Sequence, residues 1–357
     1  MQNQTTMYHV IGVMSGTSLD GIDLAECRFR QSEDEKWDYQ LGACTTFPYP
    51  KHWQERLQNA VLMSKTELHV LDQEYTAYLS SVIGHFMVDN KLEKVDAVCS
   101  HGHTVHHRPD QGFTFQIGNL PELASMTGQK VVCDFRTQDV ALGGQGAPLV
   151  PIGDHYLFRE YDYCLNLGGF ANCSFYQNHA RIAYDICPVN IVLNIYARLL
   201  GAPYDENGLM ASQGKVDPGL KKALDELSYY HSPAPKSLGY EWVREVFLPV
   251  VERYALKPKD TLATLTTHIA GQLTDQFKPG CTVLVTGGGA HNSFLIELIG
   301  KDKEIRMVKP EAELIEFKEA LIFGFLGVLK LEGKPNCLSS VTGAVHDHSS
   351  GMIYNAN

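Results

Sequence analysis

Three apolar stretches that predict β-strands each end in a glycine-rich turn, and this repeated pattern most limits what the chain can fold into. A glycine at a strand end lets backbone N–H groups approach an anion such as a phosphate. Each turn alone is weak evidence, because glycine, serine and aspartate also form ordinary turns. Three such junctions in one chain indicate a nucleotide-binding protein. They lie, in chain order, after Val10–Val13 (SGTSLDGID, 15–23), after Leu165–Leu167 (Gly168, Gly169) and after Val283–Val285 (TGGG, 286–289).

Predicted strands lead repeatedly into predicted helices, which indicates an α/β protein. At roughly 150 residues per domain, the 357 residues predict two domains. We expect an N-terminal domain over 1–135 with the first phosphate hairpin, a C-terminal domain over 136–345 with the second phosphate turn and an adenosine loop, and a surface tail over 346–357. The chain has no P-loop sequence motif, and no GxGxxG motif of a dinucleotide-binding fold follows its first strand. The α/β fold that remains is the two-domain actin-like ATPase (sugar kinase) fold with an interdomain cleft.

Composition narrows the partners. The chain carries 41 acidic and 30 basic residues, a net charge of −11, and no Lys/Arg-rich run, which argues against a nucleic-acid partner. No apolar run approaches the ~18 residues of a membrane span, and no secretory signal is visible. Nine cysteines without a CxxC pair fit a reducing compartment. We therefore expect a cytoplasmic protein that acts on a small molecule; the oligomeric state stays open, with a homodimer among the choices.

The turn 15–23 combines two glycines, three hydroxyls and two carboxylates, which suits a phosphate and a metal ion. Hydroxyls donate to phosphoryl oxygens, and an aspartate can hold hydrated Mg²⁺, with Asp20 the candidate ligand here. An ordinary hairpin turn is the alternative. The candidate ATP-binding residues are Gly16, Thr17, Ser18, Leu19, Asp20, Gly21, Ile22 and Asp23.

The two later junctions can also lay backbone against a nucleotide, with helix-terminal amides facing a phosphate or a ribose edge. The first is LNLGGFANCSF (165–175), and the second is VLVTGGGAHN (283–292). Because glycine-rich strand ends are common, the junctions taken together are stronger evidence for a nucleotide site than either of these two alone. Their candidate ATP-binding residues are Gly168, Gly169, Asn172, Gly287, Gly288, Gly289 and Asn292.

Asp185 ends an apolar strand just ahead of a helix that opens with Pro188. A carboxylate at the carboxyl end of a sheet occupies a favoured ligand position, and it can accept a proton from a hydroxyl or from water. The alternative is an aspartate that caps the N-terminus of the helix. The short spacing in Asp-Ile-Cys-Pro leaves both interpretations open.

Histidines crowd the run 100–109 (SHGHTVHHRP), which we interpret as a loop after a strand. A zinc site there lacks an HExxH spelling, so a substrate-facing loop with His101, or a structural loop, is the better interpretation. Arg136 can grip an anionic substrate, because a guanidinium matches a carboxylate bidentately. Its alternative is a salt bridge with Asp134 or Asp139.

Taken together, these stretches resemble the anhydro-N-acetylmuramic acid kinase family. The matching blocks run in family order over nearly the whole chain, and GTSLDG with DFRxxD…GGQGAPL is highly specific. The blocks are IGVMSGTSLDGID, SHGHTVHHRP, QIGNLPELA, VVCDFRTQDVALGGQGAPLVP, NLGGFAN, PKSLG, VTGGGAHN and VTGA.

The resemblance implies a two-domain actin-like enzyme that uses ATP and Mg²⁺. Such an enzyme opens the 1,6-anhydro ring of a peptidoglycan-derived amino sugar with water and phosphorylates the freed 6-oxygen, giving N-acetylmuramic acid 6-phosphate in cell-wall recycling. By position, 16–23 matches the family's ATP phosphate loop and Asp185 its catalytic base. Arg136 falls in its substrate-side DFR motif. Glu319, which helical spacing alone places on a solvated helix face, matches a substrate-contacting glutamate.

Three motifs depart from the family's usual sequence, and one of them is HGQT, which reads HGHT over 101–104. DTGPGN reads DICPVN over 185–190, so two glycines become Cys187 and Val189, and KSTGRE reads KSLGYE over 236–241. The lost glycines predict a narrower approach of the backbone to a ligand. Because Asp185 and the phosphate loop are kept, a working kinase is the first hypothesis. A non-catalytic nucleotide- or sugar-binding paralogue of this family is the second, and a metal-dependent hydrolase that uses the histidine run is the third.

Overall fold

The computed structural model describes residues 6–16, 18–234, 236–301 and 303–356. Thr17, a predicted phosphate-loop residue, lies outside the described residues. The chain divides into two compact units. The first unit is Met1–Leu157 with Phe317–Asn357, and the second unit is Phe158–Glu316.

The strands are β1 (Thr6–Ser15), β2 (Gly21–Gln31), β3 (Trp37–Pro48), β4 (Ala97–Arg108), β5 (Phe113–Ile117), β6 (Val131–Cys133), β7 (Tyr163–Leu167), β8 (Phe170–Gln177), β9 (Ala180–Pro188), β10 (Thr282–Thr286), β11 (Arg306–Val308) and β12 (Met352–Tyr354).

The α-helices are α1 (Lys51–Asn59), α2 (Lys65–Asp89), α3 (Glu122–Thr127), α4 (Thr137–Ala141), α5 (Pro151–Leu157), α6 (Asn190–Leu199), α7 (Leu209–Ser212), α8 (Pro218–Asp225), α9 (Tyr240–Trp242), α10 (Leu248–Glu252), α11 (Pro258–Gln276), α12 (Ser293–Leu298), α13 (Ala312–Leu331) and α14 (Ser339–Thr342). Short 3₁₀ turns cover Ala60–Leu62, Pro109–Gln111, Glu206–Gly208, Ser228–His231 and Gly288–His291, and a π-helical turn covers Val243–Phe247.

The sheet of the first unit has the order β12-β6-β4-β1-β2-β3, with β5 paired to β4. β1, β2 and β3 form an antiparallel meander, and β4 and β6 continue the sheet in parallel with β1. Apolar side chains along one face of α2 pack on this sheet. The helix begins at a capping box, in which the side chains of Ser64 and Glu67 each accept a hydrogen bond from the other's backbone N–H.

The sheet of the second unit has the order β11-β10-β7-β8-β9. β7, β8 and β9 form an antiparallel meander, and β10 and β11 run parallel to β7. Apolar side chains of α6, α8 and α11 cover this sheet in a core of their own. Each unit therefore buries its own sheet.

The two sheets share one topology. Apart from β5 and β12, each places its strands in the order third, second, first, fourth, fifth along the chain: β3-β2-β1-β4-β6 in the first unit and β9-β8-β7-β10-β11 in the second. Two related units, each with a hairpin after its first strand, are what the actin-like fold consists of. The predicted α/β, actin-like fold class is confirmed.

Glycines let the apolar helix α13 lie directly on the sheet of the first unit. A Cβ atom built at Gly12 of β1 would lie 1.9 Å from the carbonyl oxygen of Ala320, and one at Gly327 would lie 2.1 Å from Cys99 Sγ on β4. Real Cβ contacts are never this short, so only glycine permits this approach. The residues of α13 from Phe317 on thereby belong to the first unit.

The observed division of the chain differs from the predicted boundary at 135/136. Residues 136–157 and 317–357 belong to the first unit, because α13 and β12 return to its sheet. The segment expected to be a surface tail instead forms β12, which pairs antiparallel with β6 through Ile353 and Val132. Ser350 and His348 just before it are buried.

Within the described part of the chain, every helix is either too short or too polar to cross a bilayer.

We expect Gly12→Ala to lower the free energy of unfolding by about 1–3 kcal/mol, because the new methyl group must push α13 away from β1. Gly84→Ala is the matched control, since Gly84 lies within α2 and a Cβ there meets nothing within 4 Å. That variant should gain up to about 1 kcal/mol from helix propensity. Thermal unfolding followed by circular dichroism compares the two; equal melting temperatures would contradict the tight contact.

Candidate functional site

In the first unit, the carboxyl ends of three parallel strands bring polar side chains together. Ser15 at the end of β1 pairs with His103 on β4, and Cys133 at the end of β6 pairs with Ser100. Ser15 Oγ lies 2.9 Å from His103 Nδ1 and 2.7 Å from the Tyr49 hydroxyl. Ligands of open α/β sheets bind at this edge.

The turn between β1 and β2 is held by its own polar atoms. Asp20 Oδ1 accepts hydrogen bonds from the Ser18 hydroxyl at 2.7 Å and from the Gly21 N–H at 3.1 Å. The Gln54 side chain donates to the carbonyl oxygen of Leu19 at 3.2 Å and anchors a residue with a φ of +60°. Ser18 and Asp20 are exposed, so a fixed turn presents polar groups to solvent.

Other predicted members of this turn serve packing. Ile22 is fully buried, and a Cβ at Gly21 would come within 2.6 Å of the carbonyl oxygen of Phe47 on β3. Gly16 has more room, with its nearest contact at 3.4 Å. The backbone at Gly16 is therefore the part of the turn that is best placed to approach an anion.

Arg136 is held by two neutral acceptors. Its Nε donates to His101 Nε2 at 2.8 Å, and its Nη1 donates to the carbonyl oxygen of Gly146 at 2.5 Å. His101 Nδ1 donates to the carbonyl oxygen of Gly102 at 2.8 Å, which leaves Nε2 as the acceptor. Burial and the neighbouring guanidinium hold the pKa of His101 well below its usual value. Both ring nitrogens of His101 are therefore used in hydrogen bonds within the protein, and the ring positions Arg136.

The alternative that Arg136 only forms a salt bridge with Asp134 or Asp139 finds no support in these contacts. Asp134 accepts a hydrogen bond from the Thr137 hydroxyl at 2.6 Å, and Asp139 accepts one from the Gly146 N–H at 2.6 Å. The other N–H groups of the guanidinium can bind an anion.

Glu319 belongs to the same charged group. It is solvent-exposed on α13, yet the protein around it raises its pKa by desolvation; Arg136 opposes that shift and Asp23 adds to it. Desolvation likewise lowers the pKa of Arg136 to about 10, and Glu319 opposes this. Arg136 and Asp23 therefore both lie near Glu319 in the first unit.

The histidine run is a strand, and its prediction as a loop was wrong. β4 continues to Arg108 because β5 pairs with it beyond Gly102, through His103 and Ile117 among others. Burial lowers the pKa of His103 to about 4. Among the described residues, the histidines of this run join no group of three metal-ligating side chains.

In the second unit, the turn at Gly168 and Gly169 joins β7 to β8 and has open space around it. A Cβ at these glycines would meet its nearest atoms at 3.5 and 3.8 Å. The carbonyl oxygen of Gly169 accepts from the Val189 N–H at 2.8 Å, and the side chain of Asn190 donates to the carbonyl oxygen of Leu167 at 3.2 Å. These bonds fix the start of α6 to the turn.

The three consecutive glycines after β10 have different roles. Gly287 has a φ of +79°, and a Cβ there would lie 2.5 Å from Asn166 Oδ1. A Cβ at Gly289 would lie 2.7 Å from Leu167 Cβ. Gly288 is exposed, with its nearest contact at 3.8 Å. The outer two glycines therefore allow close packing on β7, and the middle one leaves its backbone open.

The two predicted asparagines also differ. Asn292 Oδ1 accepts from the Leu295 N–H at 3.0 Å and caps α12. Asn172 is half-buried on β8, opposite Asn166 on one side and Asp185 on the other. Asn172 is thus the one that lies beside the candidate base.

Asp185 is held entirely by backbone and one phenol. Its Oδ2 accepts from the Leu238 N–H at 2.9 Å, and its own N–H donates to the carbonyl oxygen of Lys236 at 3.1 Å. The Tyr229 hydroxyl donates to its carbonyl oxygen at 2.6 Å. Desolvation raises the pKa of Asp185, and the Leu238 N–H opposes that shift.

The N-cap interpretation of Asp185 was wrong. α6 begins at Asn190, Val189 occupies the cap position, and no side chain caps this helix. The Asp185 carboxylate points instead to the segment 236–238, so it is not used to stabilise a helix end.

A buried chain of hydrogen bonds anchors the segment that holds Asp185. His268 is fully buried; its Nδ1 donates to Asp225 Oδ1 at 2.7 Å, and its Nε2 accepts from the Tyr230 hydroxyl at 3.0 Å. Lys236 Nζ donates to the carbonyl oxygen of Tyr229 at 3.0 Å. The residues on both sides of the contacts to Asp185 are therefore tied to α8 and α11.

The two replaced glycines do not crowd the turn. The side chains of Cys187 and Val189 are fully buried in the core of the second unit. The expected narrowing of the backbone's approach to a ligand therefore does not come from these side chains. In KSLGYE, the contacts to Asp185 come from the backbone of Lys236 and Leu238, which a change of side chain leaves in place.

Repeated sheets, each with a glycine-rich turn after its first strand, define a protein of the actin-like kinase class. Residues 8–356 match the family model described as "Anhydro-N-acetylmuramic acid kinase". A protein of that name from Pseudomonas syringae pv. syringae (strain B728a) is 33% identical over 371 residues, covering 98% of this chain and all of its own length. One from Haemophilus influenzae is 34% identical over 386 residues, covering 99% of each. The chain belongs to the anhydro-N-acetylmuramic acid kinase family.

Among solved structures, a ligand-bound xylulose kinase from Lactobacillus acidophilus is similar, with a TM-score of 0.44 at 12% identity, covering 98% of this chain and 94% of that chain. A likeness at this score carries no conclusion of its own.

Sequence reasoning missed several residues of these groups. Asn190, Tyr229, Lys236 and Leu238 all contact the turn or Asp185, but none was a candidate. Asn190 stands in the DICPVN motif, and Lys236 and Leu238 stand in the PKSLG block, so motif membership was the signal that could have found them. No pattern marks Tyr229 or the buried His268.

The raised pKa of Asp185 predicts that this carboxylate lowers stability. A folded-state pKa above 3.8 means that folding disfavours the ionised form of Asp185. The resulting loss of stability is complete at pH values above the folded-state pKa and is absent below pH 3.8. Asp185→Asn keeps an oxygen for the Leu238 N–H, so it should raise the free energy of unfolding at pH 7 by about 1.4 kcal/mol per unit of pKa shift. The gain should vanish as the pH falls towards 3.8.

The matched control is Asp225→Asn in the same unit. Burial opposes ionisation of Asp225, but His268 and Lys221 lower its pKa to about 2. That variant should therefore lose stability at pH 7. Urea unfolding at pH 7 and at low pH measures both variants, and a loss of stability in Asp185→Asn at neutral pH would contradict the assignment.

Proposed function

We propose that this chain is an ATP-dependent kinase that hydrolyses the 1,6-anhydro ring of anhydro-N-acetylmuramic acid and phosphorylates the 6-oxygen. The product is N-acetylmuramic acid 6-phosphate, as cell-wall recycling requires. The observation that carries the proposal is the half-buried Asp185 of β9, which lies opposite Asn172 of β8 and whose carboxylate accepts a hydrogen bond from the Leu238 N–H through one oxygen only. The chain also spans the full length of curated relatives that bear this kinase's name.

Asp185 is the proposed general base. Its Oδ2 accepts from Leu238, so Oδ1 is the atom that takes a proton from water. As the proton moves to Asp185, the water oxygen bonds to the anomeric carbon and the bond from that carbon to the 6-oxygen breaks. The freed 6-oxygen receives the γ-phosphoryl group of ATP, and ADP leaves. A carboxylate whose pKa is raised towards the working pH is a stronger base than an ordinary one.

The proposed nucleotide contacts are of two kinds. In the first unit, the turn 16–23 offers backbone amides and the exposed hydroxyl of Ser18. In the second unit, the open backbones of Gly168, Gly169 and Gly288 are the proposed contacts, with Gly287, Gly289 and Asn292 shaping the loop. Phosphoryl transfer depends mainly on such positioning and on charge neutralisation.

The fit of Mg²⁺ rests on the donor set of the first turn. Asp20 is an exposed carboxylate there, and Mg²⁺ takes one or two carboxylates beside substrate phosphates. We therefore assign the ion to Asp20, where it would neutralise phosphate charge.

Arg136 and Glu319 are the proposed sugar contacts, with His101 as the residue that positions Arg136. N-acetylmuramic acid carries a lactyl carboxylate. The Arg136 guanidinium bonds to His101 and to Gly146, and its other N–H groups can donate to that carboxylate. Glu319 can accept from sugar hydroxyls. A cytoplasmic location fits the nine cysteines, most of which are buried.

We expect Asp185→Asn to lower turnover by about 10²–10⁴-fold, since it removes the base, while ATP affinity stays within about twofold. The assay incubates the protein with ATP, Mg²⁺ and the anhydro sugar in ¹⁸O-labelled water and follows the sugar by mass spectrometry. One label and one phosphate should enter each product molecule. In the wild type, activity should fall as the pH drops through the raised pKa of Asp185, because protonation removes the base.

Cys187→Gly, which restores the family's usual residue next to the base, is the matched control and should stay active. Full activity in Asp185→Asn would remove Asp185 from its role. A wild type that binds ATP and the sugar but forms no product would instead identify a binding paralogue.

The glycine loop after β10 gives a second comparison. Gly288→Ala should weaken ATP binding by about tenfold, or about 1.4 kcal/mol, with an unchanged melting temperature, because its backbone is open and unpacked. Gly287→Ala should instead lower the melting temperature, since its Cβ would meet Asn166 and its φ is positive. Calorimetric ATP titration and thermal unfolding separate the two effects; normal ATP affinity in Gly288→Ala would exclude this loop from the nucleotide site.

A further inference from the structure

A buried group of three metal-ligating side chains lies in the first unit, outside the residues assigned to the reaction. Asp139 of α4, Cys337 and His348 each offer one ligand atom, and these atoms all lie within 4.8 Å of one another. Asp139 is 0% exposed, Cys337 1% and His348 5%. Charged and nucleophilic groups are rarely buried this deeply without a partner.

The backbone holds two of these ligands side by side. Cys337 and His348 are partners in an isolated antiparallel bridge, with N–H···O bonds in both directions at 3.1 and 3.3 Å. Directly opposed residues project their side chains to the same face. Next to them, the Asn336 side chain bonds to both the N–H and the carbonyl oxygen of Ser350, at 2.7 and 2.9 Å. The pair is thus positioned before any ligand binds.

The protonation pattern of His348 leaves a lone pair directed at a second acceptor. Its Nδ1 donates to the carbonyl oxygen of His346 at 3.1 Å, so in the neutral ring Nε2 carries no proton. Nε2 has no hydrogen-bond partner and lies 3.5 Å from Asp139 Oδ1. A cation between these two buried acceptors, either a proton or a metal ion, would satisfy both. A proton would serve only these two atoms, whereas a metal ion would also bind the sulfur of Cys337.

We propose that Asp139, Cys337 and His348 bind one divalent ion of the zinc class. Thiolate sulfur, imidazole nitrogen and carboxylate oxygen are the donors that zinc takes, and three protein ligands leave its fourth position to water. The thiol of Cys337 releases its proton to solvent on binding. Thiolate and carboxylate then balance the two charges of the ion, so the complex adds no net charge near Arg136, whose cationic form both groups favour.

The ion would link the C-terminal segment to α4. Asp139 already bonds to the Thr342 hydroxyl at 2.7 Å, and the Gln145 N–H donates to the carbonyl oxygen of Thr342 at 2.7 Å. A metal ion bound by Asp139, Cys337 and His348 would add a second link between α4 and the C-terminal segment. Its role is therefore structural and independent of the proposed kinase chemistry.

The test refolds the full chain from denaturant with Zn²⁺ or Co²⁺ and then removes unbound ions by gel filtration. We expect about one ion retained per chain, a higher melting temperature than after refolding with a chelator, and a thiolate-to-cobalt charge-transfer band. Cys337→Ser should lose the band and the retained ion. Cys281→Ser, which alters a buried thiol of the second unit, is the control and should keep both.

A wild type that retains no ion in either refolding overturns the site. Retention that Cys337→Ser leaves unchanged overturns it as well. If Cys337→Ser does not fold, His348→Gln replaces it, and a wild-type melting temperature that Zn²⁺ does not raise counts against the proposal. Kinase activity enters none of these readouts.

Discussion

The contact between β1 and α13 is the constraint on which the first unit depends. No Cβ atom fits between Gly12 and Ala320, so the helix backbone lies on the strand itself. Because the helix is fixed there, Glu319 comes near Arg136, and the Phe323 ring lies 4.7 Å from the ring of His101. The same return carries the chain on to β12, which completes the edge of the sheet. The position of Glu319 beside Arg136 and the pairing of β12 at the edge of the sheet thus both follow from the close contact at Gly12.

The two units share a strand order but treat their polar groups differently. In the first unit, charges are arranged among side chains: Arg136 is held by a neutral histidine and lies near two carboxylates. In the second unit, the backbone does most of the holding, through Gly168, Gly169 and the segment that contacts Asp185. The same topology therefore positions a cluster of charged side chains in one unit and a desolvated carboxylate in the other.

Local patterns account for what could be predicted. The apolar strands that end at glycines and the α/β class are both encoded in short stretches of sequence, and the structure contains these elements. Asp185, which the sequence places at the end of a strand, lies inside β9 (Ala180–Pro188). The open role of Gly288 and the packing roles of Gly287 and Gly289 look alike in sequence, because what differs is the distance to β7. The site assignments themselves stay predictions.

What could not be predicted depends on distant parts of the chain. The division into units differs from the expected one because α13 and β12 return to the first sheet, and no local pattern announces a return. The sequence predicts a loop for the histidine run because Gly102 and Pro109 bracket it, whereas pairing with β5 continues the strand. Asp139 is nearly two hundred residues from Cys337 in sequence, so a search for close metal-ligand spacing passes over them.

The grip on Asp185 by an amide and a carbonyl has an evolutionary consequence. Main-chain groups are the same in every residue except proline, so substitutions at Lys236 and Leu238 can leave these two hydrogen bonds in place. Divergent spelling in such a stretch is then a poor measure of lost chemistry. Backbone geometry, and not identity of side chains, is what natural selection would have to preserve there.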